Sequence, residues 1–433
     1  MRILGVGECN GLGDMYWRLG RAGHEVRAYV SEPASHDILH GMVTRCDDWR
    51  RELDWIRGAG DDGIVVFETA TQGEIQDELR RDGFHVIGGS ATGNRLELDR
   101  GFGQQALRDA GLQTATVRDF SDFDEARAFV TARPRRYVYK VNDPKAGSAR
   151  NYVGEMDDGA DVRAVLDMEQ RRCPAGRRAN FVLMDRVIGV EVGVGAYFNG
   201  HAFLAPAVLD WEHKRFFPGD LGELTGEMGT LVTYRGYERL FERTLARMAD
   251  FLRAARYCGY INLNTIVNAD GIWPLEFTCR FGYPGFAICD ALHLDGWDSI
   301  LGAMAHGRSE LIRTHPGYAV GVVLTVPPFP HEYGYAELSR AAPVFLREGL
   351  SDAEREMLHF GEVGLKDGQL VCAGTQGYLM VATGRGADVR IAQAAAYRLA
   401  AQVVAPNLRY RNDIAERFLR EDYATLQLLG YMD

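Results

Sequence analysis

The sequence of 433 residues has no long apolar segment. No uninterrupted apolar run approaches the ~20 residues that a membrane-spanning helix requires, so we expect no membrane partner. The first residues, MRILGVGECNG, lead straight into a strand-and-turn pattern, without the charged region and apolar segment of a secretory signal. We therefore expect a cytoplasmic protein.

The sequence also lacks a regular cysteine spacing and a net positive charge. The seven cysteines are an odd number and show no Cys-x-x-Cys or Cys-x-His spacing, which argues against a disulfide framework and gives no zinc motif. The formal net charge of −11 disfavours a nucleic acid as the main partner. We therefore expect small-molecule partners, and a chain that acts as a monomer or homodimer.

The N-terminal quarter of the chain alternates short apolar runs with amphipathic stretches. The runs RILGVG, EVRAYV, GIVVFE and HVIGGS are typical of strands, and the segments between them are typical of helices. This alternation predicts βαβ units with a parallel sheet, in which ligands bind beyond the carboxyl ends of the strands. We expect one long helix in SATGNRLELDRGFGQQALRDAGLQTA, ending at Gly111.

The stretch WPLEFTCRFGYPG, residues 273–285, places one carboxylate, Glu276, in an apolar strand. The preceding strand, GYINLNTIV, carries Asn262 and Asn264, and the connection NADG predicts a hairpin. Paired strands bring side chains of one face together. Glu276 and Asn264 could therefore hold Mg²⁺, which takes a few oxygen ligands plus phosphate. The alternative is an edge-strand glutamate that faces water.

Cations close to glycines indicate a phosphate-binding site. In EHKRFFPGDLGELTGEMGT, residues 212–230, Lys214 and Arg215 precede a glycine-rich stretch. Glycine lets backbone amides approach phosphate oxygens, and cations neutralise them. Lys140 lies in the strand RYVYKV, where its burial would be costly without an anion. The alternatives are an ordinary glycine-rich loop and a strand-end lysine that reaches solvent.

The order of these elements resembles the ATP-grasp superfamily, and several motifs resemble the phosphoribosylamine–glycine ligase family. EHKRFFPGDLGELTGEMG resembles the family's DHKR…GD.GPNTGGMG, LEFTCRFGYPG resembles LEFN.RFGDPE, and RYRNDIAERF resembles fYR.DIg. The resemblance runs nearly end to end. It implies two α+β lobes that close on ATP with Mg²⁺, or with Mn²⁺ in its place.

The fold class that follows is α/β and α+β multidomain. It comprises an ATP-grasp fold, an N-terminal doubly wound parallel-sheet domain and a small C-terminal α+β cap. The expected domains are an N-terminal α/β substrate-binding domain at 1–118, a small mobile ATP-grasp lobe at 119–188, a large lobe with the metal site at 189–314, and a C-terminal domain at 315–433.

The resemblance also implies a role for each candidate residue. The catalytic residues would be Arg280, Lys214 and Arg215. The residues expected to bind ATP are Lys140, Lys145, Arg150, Met184, Asp185, Val187, Glu191 and His213. The residues expected to bind the substrates are Gly5, Gly7, Glu8, Glu68, Asp220, Thr225, Gly226, Gly282 and Tyr283. The metal ligands would be Glu276, Asn264 and Thr278.

Departures from the family pattern cluster at the substrate ends. The family's GnGgREHAl, linked to phosphoribosylamine recognition, is GVGECNGLGDM here; the Arg-Glu-His is absent, although Gly5 and Gly7 leave an amide nest for an anion feasible. The family's KADGLAAGKGV is KVNDPKAGSARNYV here, so Lys145 or Arg150 would have to supply the second cation.

Other departures surround the predicted metal site. Thr278 stands where the family has asparagine, and GYPG replaces GDPE, which removes two carboxylates. ELTGE replaces PNTGG, which adds Glu223 and Glu227.

Three functions are consistent with these observations. The first is an ATP-dependent carboxylate–amine ligase that forms an amide through an acyl phosphate, joining glycine or another amino acid to an amine. The altered substrate ends favour this interpretation. The alternative is a true phosphoribosylamine–glycine ligase of purine biosynthesis. A second alternative is a nucleotide-binding protein without catalytic activity.

Overall fold

The N-terminal part of the chain is a four-stranded parallel sheet with the strand order β2-β1-β3-β4. We describe residues 1–142, 151–174 and 178–432 of a computed structural model. The strands of this sheet are β1 (Arg2–Gly7), β2 (Glu25–Val30), β3 (Gly63–Phe67) and β4 (His85–Ile87), and the helices around it are α1 (Gly13–Arg21), α2 (Leu53–Arg57), α3 (Gly73–Arg81), α4 (Ala91–Leu98) and α5 (Arg100–Asp109).

Both faces of this sheet are covered, as the predicted βαβ pattern requires. Ile3 and Ile64 pack with Leu19 of α1 on one face, whereas Leu4 and Val65 pack on the other face in a separate cluster. Alternate residues of a strand point to opposite faces, so strands that are apolar throughout need two apolar layers. The predicted doubly wound arrangement is confirmed.

The single long helix expected after residue 90 is wrong. The chain forms two helices, α4 and α5, which meet at Asp99 in an extended conformation (φ −120°, ψ 94°). Asp99 Oδ1 accepts a hydrogen bond from Phe102 N (3.0 Å), which caps α5. Asp99, although it lies within an apolar helical pattern, therefore marks the beginning of a new helix.

The next segment is a small antiparallel sheet with the order β5-β8-β6-β7. Its elements are β5 (Val117–Phe120), α6 (Phe123–Ala132), β6 (Tyr137–Val141), β7 (Tyr152–Val153), α7 (Ala160–Arg172) and β8 (Phe181–Asp185). Phe181 stacks on Phe120 and Phe123, within a hydrophobic cluster separate from the main core. This sheet is called the small lobe below.

The largest sheet has eight antiparallel strands in the order β15-β14-β9-β10-β13-β16-β21-β18. Its strands are β9 (Val190–Asn199), β10 (Val208–Glu212), β13 (Gly229–Thr233), β14 (Cys258–Asn268), β15 (Gly271–Thr278), β16 (Tyr318–Thr325), β18 (Leu358–Phe360) and β21 (Tyr378–Gly386). Three of them come from residues beyond 314, so the sheet continues across the expected boundary at 314/315.

Short ladders and helices complete the fold. The ladders pair β11 (Arg215–Phe217) with β12 (Leu221–Leu224), β17 (Phe345–Leu346) with β22 (Val403–Val404), and β19 (Val363–Lys366) with β20 (Gln369–Cys372). The helices are α8 (Glu238–Arg243), α9 (Ala249–Ala254), α10 (Gly285–Asp290), α11 (Trp297–Ala305), α12 (Tyr335–Leu338), α13 (Asp352–Arg355), α14 (Val389–Ala400) and α15 (Tyr423–Leu428). Within the described ranges, no helix combines the length and apolar character needed to cross a bilayer.

Candidate active site between the lobes

Glu276 lies between two lysines that come from different lobes. Lys140 Nζ, on β6 of the small lobe, is 3.4 Å from Glu276 Oε2, and Lys214 Nζ is 3.7 Å from Glu276 Oε1. The Glu276 side chain is 45% exposed toward the space between the lobes. The charge of Lys140, and next that of Lys214, outweighs burial and lowers the pKa of Glu276 to about 2. The carboxylate is therefore ionised near neutral pH.

Strand register explains the neighbours of Glu276. Asn264 on β14 is directly opposite Glu276 on β15, so both side chains share one face of the sheet. Asn264 Nδ2 donates to Glu212 Oε2 (3.1 Å), and Lys214 Nζ lies 2.8 Å from that same oxygen. Burial raises the pKa of Glu191, on the neighbouring strand β9. The predicted hairpin and its pairing of Asn264 with Glu276 are present.

Carboxylates surround the Lys214 ammonium group. Burial alone would lower its pKa, but the charges of Glu212, Glu276 and Glu191 raise that pKa well above the ordinary value. Three acids therefore hold the Lys214 ammonium group beside Glu276.

A second polar group lies two residues farther along the same face. Asn262 is opposite Thr278, and Asn262 Nδ2 donates to Asp210 Oδ2 (2.5 Å). Asp210 lines a cavity together with Glu227 and Tyr283. The predicted residues Gly282, Tyr283 and Thr278 thus meet in one place.

Arg280 is held by a residue that the sequence did not single out for a role. Arg280 Nε donates to Glu97 Oε1 (3.1 Å), and Cys279 N donates to Glu97 Oε2 (2.6 Å). Glu97 therefore uses both oxygens to fix the turn after β15 against α4. The Arg280 side chain remains 38% exposed.

The glycine-rich segment is stabilised by several of the predicted residues. Arg215 Nη1 donates to the Gly222 carbonyl (2.6 Å), and Thr225 Oγ1 donates to the Lys214 carbonyl (2.9 Å). Asp220 forms ion pairs with Arg411 (3.0 Å) and Arg417 (3.5 Å). These contacts hold the loop itself. They assign Arg215, Asp220 and Thr225 a positioning role in this conformation.

Two further predicted residues in this segment pack inward. His213 is buried, and its Nε2 accepts a hydrogen bond from Ala415 N (3.2 Å). Burial lowers the pKa of His213 to about 4, so the ring is neutral near pH 7. Gly226 allows close approach of a ring, because a Cβ there would lie 2.7 Å from Tyr378 Oη.

Three of the residues expected to bind ATP, Met184, Asp185 and Val187, lie on the last strand of the small lobe and just beyond it. Met184 is buried, Asp185 forms an ion pair with Arg135 (3.0 Å), and Val187 packs beside Met184. The predicted residues Lys145 and Arg150 lie outside the described residues.

The N-terminal glycines make room for side chains rather than for an anion. A Cβ at Gly5 would lie 2.4 Å from the Tyr16 ring, and one at Gly7 would lie 2.2 Å from Glu68 Oε2. Glu68 Oε2 itself accepts the Gly11 amide (2.8 Å). The amide nest that the sequence suggested is thus filled by a carboxylate of the protein. Burial raises the pKa of Glu68 to about 7.

Comparison with known proteins shows which family the region around this site resembles. The family model for the phosphoribosylglycinamide synthetase ATP-grasp (A) domain matches residues 99–286. This region is similar to the ATP-grasp domain of that family. The match includes Lys140, Lys214 and Glu276, the three residues that meet between the lobes.

Relatives extend the likeness beyond the ATP-grasp domain. A phosphoribosylamine–glycine ligase of Pseudomonas aeruginosa is 28% identical over 374 residues, which cover 83% of each chain. The crystal structure of phosphoribosylamine–glycine ligase from Thermotoga maritima has a TM-score of 0.73 at 21% identity and covers 96% of this chain and 100% of its own. The expected class, an ATP-grasp ligase that forms C–N bonds, is confirmed.

A solved structure with the same fold contains a bound nucleotide. The biotin carboxylase domain of a Hydrogenobacter thermophilus 2-oxoglutarate carboxylase, solved with MgADP, ADP and bicarbonate, has a TM-score of 0.66 at 10% identity. It covers 100% of this chain and 98% of its own. The predicted ATP-grasp fold is therefore confirmed.

Three acidic residues were missed as site residues: Asp210 and Glu212 of the ATP-grasp domain, and Glu97 of α4. A signal for the first two was present in VLDWEHKR, where carboxylates two residues apart share one face of a strand. Glu97 gave no such signal, since its partners Cys279 and Arg280 are more than 180 residues away along the chain.

Proposed function

We propose that this chain is an ATP-dependent ligase that joins glycine to phosphoribosylamine. The observation that carries the ligase assignment is the convergence of Lys140 and Lys214 on the Glu276 carboxylate, across the space between the lobes. The choice of substrates follows from the relatives, which are named phosphoribosylamine–glycine ligases. These names support a phosphoribosylamine–glycine ligase of purine biosynthesis better than a ligase that joins an amino acid to an unspecified amine.

The reaction has two steps that balance without an external oxidant or reductant. A carboxylate oxygen of the amino acid attacks the γ-phosphorus of ATP, so ADP leaves and an acyl phosphate forms. The amine nitrogen then attacks the acyl carbon, phosphate leaves, and the nitrogen loses a proton. Lys140 and Lys214 neutralise phosphoryl charge and fix the donor in line, which is most of the work that such a transfer needs.

The donor set fits magnesium. Glu276 offers an ionised and partly exposed carboxylate, and Glu212 with Asn264 lies beside it on the same face. Across residues 1–142, 151–174 and 178–432, no group of three or more His, Cys, Asp or Glu side chains could hold a metal ion alone. Mg²⁺ commonly takes one or two carboxylates and fills its other positions with phosphate and water. When bound, it would supply charge compensation for the triphosphate.

Lys140→Ala should weaken ATP binding by about tenfold or more, because one charge-assisted contact to phosphate contributes roughly 1.5–3 kcal/mol. Titration calorimetry with a non-hydrolysable ATP analogue and Mg²⁺ measures this change. Lys366→Ala is the control, since Lys366 lies on β19 and is not one of the lysines paired with Glu276 among the described residues. An unchanged dissociation constant in Lys140→Ala would mean that this lysine serves only as the partner of Glu276.

A different amine is the second candidate, and one observation favours it. The thiol of Cys9, just beyond the carboxyl end of β1, lies near the carboxylates of Glu68, Glu362 and Glu8. Loss of hydration raises the pKa of this thiol to about 12, and the three acids add to the rise. The Glu68 carboxylate also occupies the space beside Gly7 and accepts the Gly11 amide, so this end of the parallel sheet presents an acid in place of an anion site, which suits an amine without a phosphate.

ADP release tests the proposal and separates these candidates. We expect ADP to form when glycine and freshly made phosphoribosylamine are both present, and not when either is omitted. Ribosylamine lacks only the phosphate and is the matched comparison, so faster ADP release with ribosylamine would favour the second candidate. The absence of ADP with all twenty amino acids and both amines would leave a nucleotide-binding protein without catalysis.

A further inference from the structure

A segment near the C-terminus, RYRNDIAERF at residues 409–418, packs along the strands that lead into the candidate site. It lies outside residues 99–286, which match the family model. The Phe418 ring contacts the Trp211 ring of β10, with 4.5 Å between their centres. The Arg409 guanidinium lies 5.2 Å from the centre of the Phe216 ring of β11. The C-terminal part of the chain therefore reaches the strands on both sides of Lys214.

Arg411 joins this segment to the β11–β12 hairpin. It is 1% exposed. On one side, its Nε and Nη2 each donate to one carboxylate oxygen of Asp413, at 2.8 Å. On the other side, its Nη1 donates to the Arg215 carbonyl (2.9 Å) and to Asp220 Oδ1 (3.0 Å). A guanidinium is planar, so these bonds fix the direction as well as the distance of its partners. This contact is called the junction below.

The β11–β12 hairpin needs the junction to have a fixed position. Its strands have three and four residues, and they pair with no other strand in the described part of the chain. A two-stranded ladder is at best marginally stable by itself. Asp413 Oδ2 also accepts the Gly219 amide (2.8 Å), and Arg417 forms an ion pair with Asp220 (3.5 Å). The turn of the hairpin is therefore held by the C-terminal segment.

Two residues of the junction have a left-handed backbone although neither is glycine. Asp220 has a φ of 55°, and Ala415 has a φ of 72°. Ala415 N donates to Nε2 of His213, the residue before Lys214. Such conformations persist only where the surrounding structure determines them, and they cluster at functional sites. The junction therefore has the character of a defined contact rather than of incidental packing.

The hairpin connects the junction to Lys214. Arg411 holds the carbonyl of Arg215, the residue that follows Lys214. The amide and the hydroxyl of Thr225 both donate to the Lys214 carbonyl, at 2.8 and 2.9 Å. The Lys214 ammonium group lies 3.7 Å from Glu276 Oε1. Because the backbone of Lys214 is held by the hairpin, a shift of the hairpin would move this ammonium group.

We propose that Arg411 is a positioning residue for the phosphoryl-transfer site and that it acts on ATP through Lys214. This role rests on the proposed ligase function, in which Lys214 neutralises phosphoryl charge. Arg411 is almost completely buried, so its effect on a nucleotide has to be indirect. A misplacement of about 1 Å can cost a catalytic group as much as 100-fold in rate. Asp413 shares the role, since it holds both Arg411 and the turn of the hairpin.

Calorimetry with a non-hydrolysable ATP analogue and Mg²⁺ tests the proposal. Arg411→Lys keeps the positive charge, but an ammonium group cannot reproduce the fork of a guanidinium. We expect Lys214→Ala to weaken binding by about tenfold or more, and Arg411→Lys by about fivefold or more, since each disturbs one charge-assisted contact to phosphate. Arg420→Lys is the matched control. Arg420 is 68% exposed and pairs with Glu421 beside it, so this variant should bind the analogue as the wild type does.

A double-mutant cycle separates positioning from general damage. If Arg411 acts through Lys214, adding Arg411→Lys to Lys214→Ala should weaken binding by less than about twofold more. Partial unfolding lowers the fraction of protein that binds, whereas the dissociation constant of the folded fraction stays the same. Losses that multiply in the double variant would mean that Arg411 affects ATP by another route. That result, or unchanged binding in Arg411→Lys alone, would overturn the proposal.

Asp220→Asn tests the junction from the side of the hairpin, and it replaces Arg411→Lys if that variant does not fold. Asp220 is 43% exposed, and asparagine tolerates its left-handed conformation, so the fold should be kept. Loss of the charge that faces Arg411 should weaken analogue binding by about threefold, and by no more than that error when Lys214→Ala is already present. Binding equal to that of the wild type would count against the junction.

These binding measurements need no turnover, which keeps the positioning role separate from the ligase function. If the wild type binds the analogue but forms no ADP with any amino acid and amine, the ligase function fails and the cycle still decides the role of Arg411. If the wild type does not bind the analogue, both proposals fail. In an active enzyme, Arg411→Lys should raise the KM for ATP and leave the KM for glycine unchanged. A lower kcat with both KM values unchanged would indicate only a loss of folded enzyme and would overturn the positioning role.

Discussion

Glu276→Gln should reduce ADP formation by at least about 10³-fold. The substitution keeps the shape of the side chain but removes the negative charge that lies between Lys140 (3.4 Å) and Lys214 (3.7 Å). It also removes the ionised oxygen that suits a divalent cation, and an amide oxygen is a weaker ligand. A coupled assay for ADP, with glycine and phosphoribosylamine as substrates, measures the loss.

The fold of Glu276→Gln should remain intact, because the side chain is 45% exposed and its volume is kept. Thermal unfolding and circular dichroism check this. Glu223→Gln makes the same chemical change at a half-exposed residue of β12, outside the interlobe site, and should retain full activity. Turnover close to that of the wild type in Glu276→Gln would remove this residue from the metal site and would contradict the proposed chemistry.

Local patterns predicted the elements that carry the site. The hairpin of β14 and β15 has the expected register, with Asn264 opposite Glu276, because alternating side chains and a short turn fix strand pairing. The parallel N-terminal sheet also follows from local patterns. The break between α4 and α5 does not, since the cap at Asp99 competes with an apolar period that continues past it.

Contacts between residues far apart in the sequence could not be predicted from local patterns. Lys140 and Glu276 are 136 residues apart, and only the family resemblance placed them together. The glycines of GVG suggested an anion site, but the side chains of Tyr16 and Glu68 fill the space that they leave. A glycine indicates that something approaches the backbone closely, and the local sequence does not say what approaches. The same limit hid the cavity around Asp210, whose lining comes from two separate motifs.

Asp14→Asn should lower the free energy of unfolding by about 3 kcal/mol, the usual cost of breaking a buried ion pair. Asp14 is fully buried in the first turn of α1. Its Oδ2 lies 2.6 Å from Arg18 Nε and 3.0 Å from His359 Nδ1, and its Oδ1 accepts the Phe360 amide (3.0 Å). It therefore ties the N-terminal domain to β18, at the edge of the eight-stranded sheet. Urea unfolding at pH 7 measures the loss.

The pH dependence of the stability difference between wild type and Asp14→Asn shows whether the charge of Asp14 causes it. Burial favours the neutral form of Asp14, but Arg18 and His359 outweigh it and lower the pKa from 3.8 to about 2. A lowered pKa in the folded protein contributes stability above pH 3.8 that is lost as the pH falls through 2, and this shift corresponds to about 2 kcal/mol. The difference in free energy of unfolding between wild type and Asp14→Asn should therefore narrow below about pH 4.

Asp54→Asn changes an exposed aspartate in the first turn of α2 and should show neither the loss of stability nor the narrowing at low pH. A gap that stays constant down to pH 2 would mean that the packing of α1, and not the charge of Asp14, joins the two sheets.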